Sequence, residues 1–143
     1  MADSEQDKRD RLARQFIEAL PFARALGLEL TRIGEGEAEI TLPWRDDLVG
    51  DPEAGVIHGG AVSALMDTCG GAAVMSHADV PAGTATLDLR LDYMRPATPG
   101  QALRAVAHCY HVTRSVAFMR AEAFDDDASR PVAAATGAFT VER

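Results

Sequence analysis

A chain of 143 residues has the usual size of one domain and is long enough to bury a single core. Its 47% apolar content excludes a disordered chain, and a net charge of −8 with a pI near 4.9 argues against a nucleic-acid surface. No run approaches the roughly 18 apolar residues of a membrane span. The charged start "MADSEQDKRDRLARQF" also lacks a signal peptide's apolar centre, so the chain reads as cytoplasmic and soluble.

In chain order, residues 8 to 20 place Leu12, Phe16, Ile17 and Leu20 at helical spacing, with Pro21 closing the segment. Two alternating runs flank Gly34-Glu35-Gly36 and predict a hairpin from about 28 to 43. Residues 45 to 55, "RDDLVGDPEAG", are loop by composition. A long helix is expected from about 59 to 77, broken by Pro81-Ala82-Gly83. It is apolar nearly all round and rich in glycine and alanine, so it is buried, with something approaching its backbone closely. Four strand-like segments follow. In "TATLDLRLDYM", Leu87, Leu89, Leu91 and Tyr93 point one way and Thr86, Asp88, Arg90 and Asp92 the other, which predicts a long half-buried strand. One apolar helix among about six antiparallel strands gives an α+β fold, a sheet wrapped around the helix.

Two features carry chemistry. His58-Gly59-Gly60 opens the long helix, where unpaired backbone N–H groups and a positive dipole suit an oxyanion; the plainer alternative is a glycine-rich entry that lets the helix pack. Asp67 is a mid-helix acid amid Leu65, Met66, Cys69 and Ala72 without a neighbouring cation. Such a carboxylate is costly unless used or satisfied by hydroxyls such as Ser63 or Thr68. Gly59 and Asp67 stand eight residues apart, roughly 12 Å along one helix at 1.5 Å per residue. One helix cannot bring both to the same carbonyl, but two antiparallel copies across a two-fold axis can.

Other candidates are weaker. His108 and His111 are three apart on a strand and should face opposite sides, a poor metal pair. Ser63 lacks a nucleophile-elbow context, and Cys69 and Cys109 read as buried, reduced thiols. Asp125-Asp126-Asp127 reads as a solvated turn. No metal site and no phosphate or dinucleotide fingerprint is seen.

"GVIHGGAVSALMDTCGGAA" followed by "TLDLRLDYMRPATPG" resembles the hotdog-fold acyl-CoA thioesterases of the phenylacetate-pathway (PaaI-like) type, over roughly residues 22 to 142. The resemblance implies one hotdog domain over residues 1–143, with residues 1–20 as a helical extension. It also implies hydrolysis of an aryl or medium-chain acyl-CoA to free acid and CoA without a cofactor, in a homodimer assembling as a dimer of dimers. Gly59 would polarise the thioester carbonyl, and Asp67 would act as nucleophile or general base. Thr86 would help position water, and His58 would hold the loop and thioester. Gly60, Met66, Arg95 and Arg114 would contact substrate, the two arginines as partners for CoA phosphates. Many relatives carry an Asn about six residues before the motif histidine; here that position is Pro52. Two rivals are a non-catalytic acyl-CoA binder, which the Pro52 departure supports, and a hotdog dehydratase or hydratase, whose differently placed acid the present spacing does not match.

Overall fold

The computed structural model describes residues 2–80 and 82–143. Helix α1 (Glu5–Ala19) starts at Ser4, whose hydroxyl accepts the Asp7 N–H at 3.0 Å while the Asp7 carboxylate accepts the Ser4 N–H at 3.0 Å. This reciprocal cap satisfies two otherwise unpaired donors. Pro21 does not end the helical region as the sequence suggested. It occupies the first position of a second helix, α2 (Pro21–Leu26), where a missing N–H costs nothing.

The hairpin forms as expected, with β1 (Glu29–Gly34) and β2 (Glu37–Leu42) joined by Glu35 and Gly36. Both turn residues have positive φ, 53° and 80°, the geometry whose twist matches paired strands. The stretch read as loop holds more order. A 3-10 turn (Asp46–Leu48) leads into a small ribbon of β3 (Val49–Asp51) and β4 (Val56–Ile57), because Leu48 and Ile57 bury their side chains.

Helix α3 (Gly59–Met75) stops two residues short of the expected end. The buried Ser76 hydroxyl turns back onto the Ala73 carbonyl at 3.0 Å and accepts the Gly36 N–H at 3.0 Å, tying the helix end to the hairpin turn. Pro81, read as part of the breaker, lies outside the described residues.

Strands β5 (Thr86–Tyr93), β6 (Leu103–Val112), β7 (Val116–Phe124) and β8 (Ala133–Thr140) complete one antiparallel sheet in the order β1-β2-β6-β7-β8-β5. The sheet packs its inner face on α3, chiefly through β2, β6 and β7. Small inner residues such as Ala105, Ala107, Ala121 and Ala135 let the helix come close. Gly70 shows how close: a Cβ there would sit 2.6 Å from Met119 Cε and 3.1 Å from the Phe139 ring. The small-residue character of α3 is thus a packing requirement of the sheet.

Two details differ from the sequence reading. Strand β5 lies at the sheet edge, so only Leu89 and Leu91 are half-buried, while Leu87 and Tyr93 remain 59% and 55% exposed. In β6, a bulge between Cys109 and His111 shifts the alternation. His108 pairs with Arg120 and His111 with Phe118, so both histidines face outward on the same side rather than on opposite sides.

The cysteines are free and buried, and burial pushes the thiols up, Cys69 to about 12 and Cys109 to about 11. Both are inert as nucleophiles. Among the described residues, no helix is long and apolar enough to cross a membrane.

Candidate active site

The start of α3 is held from several directions. His58 is the N-cap, and its Nδ1 accepts the Gly60 N–H at 2.7 Å. An accepting Nδ1 must be unprotonated, which leaves Nε2 to carry the ring proton. Gly60 makes this cap possible, since a Cβ there would lie 2.9 Å from His58 Nδ1. The His58 N–H donates to the Leu48 carbonyl at 2.8 Å, and Gly50 lets the chain pass so closely that an added Cβ would stand 3.0 Å from His58 Cα.

Capping decides which amide is free. The Gly60 N–H is taken by His58. The Gly59 N–H has no acceptor among the described residues. Tyr93 secures the same glycine from the other side, its hydroxyl donating to the Gly59 carbonyl at 2.8 Å. The sequence showed Tyr93 only as the last large residue of an alternating strand, and nothing local indicated this bond. A backbone amide pinned before and after, with a free N–H at a helix N-terminus, has the geometry that can stabilise an oxyanion.

Asp67 lies two turns further along and is only half-buried even in the single chain. Its carboxylate accepts the Thr86 hydroxyl at 2.7 Å, rather than one from Ser63 or Thr68. Strand β5 makes this contact through a bulge between Thr86 and Asp88. Period-two reading put Thr86 with the outward Asp88 and Arg90. The bulge resets the phase, and Thr86 pairs with Phe139 on the inner face, shared with Leu89, Leu91 and Tyr93. One edge strand therefore serves both parts of α3, with Thr86 at Asp67 and Tyr93 at Gly59.

The two parts do not share a cavity. Gly59 lines one of about 640 Å³ with Asp51, Val62, Tyr93, Met94 and Arg95. Asp67 and Thr86 line another of about 140 Å³ with Phe16, Leu20 and Met75.

Two expected substrate contacts, Met66 and Arg114, are not brought there, and a third, Arg95, is there but engaged. Met66 is fully buried in the core and touches neither cavity. Arg114 lies on the β6–β7 turn in a separate hollow with Asp79 and Arg143, beyond the C-terminal end of α3. Arg95 borders the Gly59 cavity, but both its terminal nitrogens bind Asp125 at 2.7 Å. The Asp125 side chain is wholly buried, which corrects its reading as part of a solvated turn. It also accepts the Thr98 hydroxyl at 2.8 Å and the Thr98 and Asp127 amides. The Arg95 guanidinium, aided by Thr98 and Asp127, holds the Asp125 carboxyl well below the usual carboxylate range. Arg95 is thus a fastener between the end of β5 and the β7–β8 turn: its two terminal nitrogens are engaged by Asp125 and by the Pro96 and Arg130 carbonyls, and its Nε is buried without a partner among the described residues. Among the described residues, no cluster of His, Cys, Asp or Glu could hold a metal ion.

Comparison with known proteins gives the family and the fold. A family model, the thioesterase superfamily, matches residues 54–132, which include His58, Gly59, Asp67 and Thr86. The medium/long-chain acyl-CoA thioesterase YigI of Salmonella typhimurium is 29% identical over 139 residues, spanning 88% of each chain. A crystal structure of a Pseudomonas aeruginosa protein is 39% identical with a TM-score of 0.81, covering 92% of this chain and 98% of that one. The phenylacetic acid degradation protein PaaI from Thermus thermophilus, in a mutant structure, is 30% identical with a TM-score of 0.76, covering 86% of this chain and 100% of the other.

Proposed function

The chain belongs to the thioesterase superfamily, with the hotdog fold, and from that premise we propose that it hydrolyses an aryl or medium-chain acyl-CoA to free acid and CoA. Thioester hydrolysis is the family's chemistry; the acyl-CoA substrate and the residue roles are our reading. The observation that carries it is the division of the site along one helix. A free, pinned amide at Gly59 and a hydroxyl-oriented carboxylate at Asp67 are eight residues apart, about 12 Å, in separate cavities.

Such halves make a complete site when a second copy lies antiparallel, Gly59 of one α3 facing Asp67 of the other. Strand β5 supports this pairing: it is a sheet edge with an unpaired ladder, flanked by exposed Leu87, Tyr93 and Met94. We read the protein as a homodimer joined along β5, assembling further as a dimer of dimers, with one hotdog domain over residues 1–143 and α1 as its N-terminal extension.

In that site the Gly59 N–H takes the charge that develops on the carbonyl oxygen. Asp67 either attacks the carbonyl carbon, giving a mixed anhydride that water then hydrolyses, or removes a proton from an attacking water. In both routes the C–S bond breaks and CoA leaves as a thiolate. Thr86, donating to one Asp67 oxygen, leaves the other free for the reaction. His58 caps the helix and fixes the Gly59 amide; with Nδ1 occupied it is not the proton acceptor.

The second reading is a non-catalytic acyl-CoA binder. It is favoured by the exposed loop where the resemblance implies Asn and this chain has Pro52: neighbouring Asp51 folds its carboxylate onto the Glu53 N–H at 3.0 Å. CoA release from phenylacetyl-, 4-hydroxybenzoyl-, hexanoyl- and decanoyl-CoA separates the two. Turnover by the wild type and its loss in Asp67→Ala and Asp67→Asn support the enzyme; saturable binding without release from any thioester supports the binder.

A further inference from the structure

Helix α1 carries two apolar stripes, and the fold uses only one of them. Ala13 and Ile17 are buried and dock the helix, whereas Leu12 is 65% and Phe16 51% exposed, with Leu20 half-buried. Leu12 and Phe16 follow the i, i+4 spacing of one helix face, and Leu20, the C-cap residue four positions on, lies beyond its end and packs partly on the core. That face borders the Asp67 cavity, which Phe16, Ile17 and Leu20 line together with the carboxylate and Thr86. Further along the same helix, Leu12 and Ala13 line a second hollow of about 280 Å³. Met75, half-buried near the end of α3, lines both.

We propose that this α1 face and Met75 form the wall along which a straight aliphatic acyl chain lies, with the thioester at Asp67 and the chain running from Leu20 and Phe16 toward Leu12. The inference rests on the thioesterase reading of Asp67 and names the acyl group it takes. The chemistry of the wall sets the class. On the catalytic side stand Asp67, Thr68, Thr84 and Thr86; on the α1 side the side chains are all hydrocarbon. A hydroxylated aryl ring seated against that wall loses its water partner and gains none, whereas each methylene removed from water is worth about fourfold in affinity. The far hollow opens among Glu5, Lys8 and Arg9, so the wall ends in a charged rim beyond Leu12.

Position along the stripe makes the proposal testable. Phe16→Asp and Leu12→Asp place charges on exposed positions that the fold does not need. The kcat/KM of each variant is measured across acetyl-, hexanoyl-, decanoyl- and palmitoyl-CoA. Phe16→Asp is expected to lower the hexanoyl-to-acetyl and decanoyl-to-acetyl ratios by tenfold or more. Leu12→Asp is expected to lower the decanoyl and palmitoyl ratios while leaving the hexanoyl ratio near that of the wild type. Loosening of α1 would depress all lengths together, so equal losses along the series overturn the proposal, as does an unchanged profile in both variants. In either case a wild type that still releases CoA keeps the thioesterase reading. A wild type inert on every thioester overturns that reading and the acyl wall with it.

Discussion

The two ends of the candidate site are built by opposite means. At the start of α3 the reactive group is a backbone amide, held by the His58 cap, the Leu48 carbonyl and the Tyr93 hydroxyl. In the middle of α3 it is a half-buried carboxylate, with the single hydroxyl of Thr86 as its protein partner. The difference suits the role proposed for each. An oxyanion donor works by being fixed before charge develops, so every constraint on it helps. A nucleophile or base must keep a lone pair available and pass between charge states, so a single donor orients it without quenching it.

The largest effect should come from the carboxylate. Asp67→Asn and Asp67→Ala are expected to lower kcat/KM by about 10² or more with the thermal midpoint nearly unchanged, as steady-state kinetics and calorimetry would register. A comparable loss of stability would mean that Asp67 serves the fold rather than the reaction. Next in size is a change far from both groups. Asp125→Ala strips the partner from Arg95 and should cost about 3 kcal/mol in denaturant unfolding. The sign of its pH dependence is set by the lowered carboxyl pKa of Asp125 in the folded chain. That stabilisation is complete above the ordinary carboxylate range of about 4 and is lost as pH falls below it. The variant should accordingly show a flatter acid limb of stability than the wild type.

Smaller changes sharpen the contrast between the two ends. Tyr93→Phe removes one hydrogen bond to Gly59 and should lower kcat/KM about tenfold through kcat rather than KM. Thr86→Val should cost about as much, with Thr86→Ser restoring most of it; failure of the serine to rescue would assign the effect to packing on Phe139 instead of the hydroxyl. Smallest in stability is the cap: His58→Ala should cost about 1 kcal/mol, and His58→Asn, which can also accept the Gly60 N–H, should recover much of it.

Much of this arrangement was legible in the residues. The alternating strands, the hairpin turn at Glu35-Gly36 and the apolar central helix all follow from local periodicity and turn chemistry, and they appear where expected. The motif residues His58, Gly59 and Asp67, with their spacing, pointed to a site divided along one helix, because helical rise alone forbids them a common carbonyl. What periodicity could not show is where it breaks. The bulge in β5 turns Thr86 inward to Asp67, and the bulge in β6 brings His108 and His111 to the same face. A bulge depends on pairing with a neighbouring strand, so it leaves no mark on the strand's own alternation.

Long-range partners were hidden for the same reason. Arg95 looked free for a phosphate until the fold set it against Asp125, thirty residues later. Gly60 looked equivalent to Gly59 until the His58 ring turned back to occupy its amide. Spacing along the chain is a local property, so the sequence by itself determined the six strands of the main sheet, the buried helix and the candidate chemistry, but not the β3-β4 ribbon. Which amide stays free, which hydroxyl meets the carboxylate and which arginine is already bound depend on groups that only the folded sheet and helix bring within 3 Å of one another, and those the tertiary structure decided.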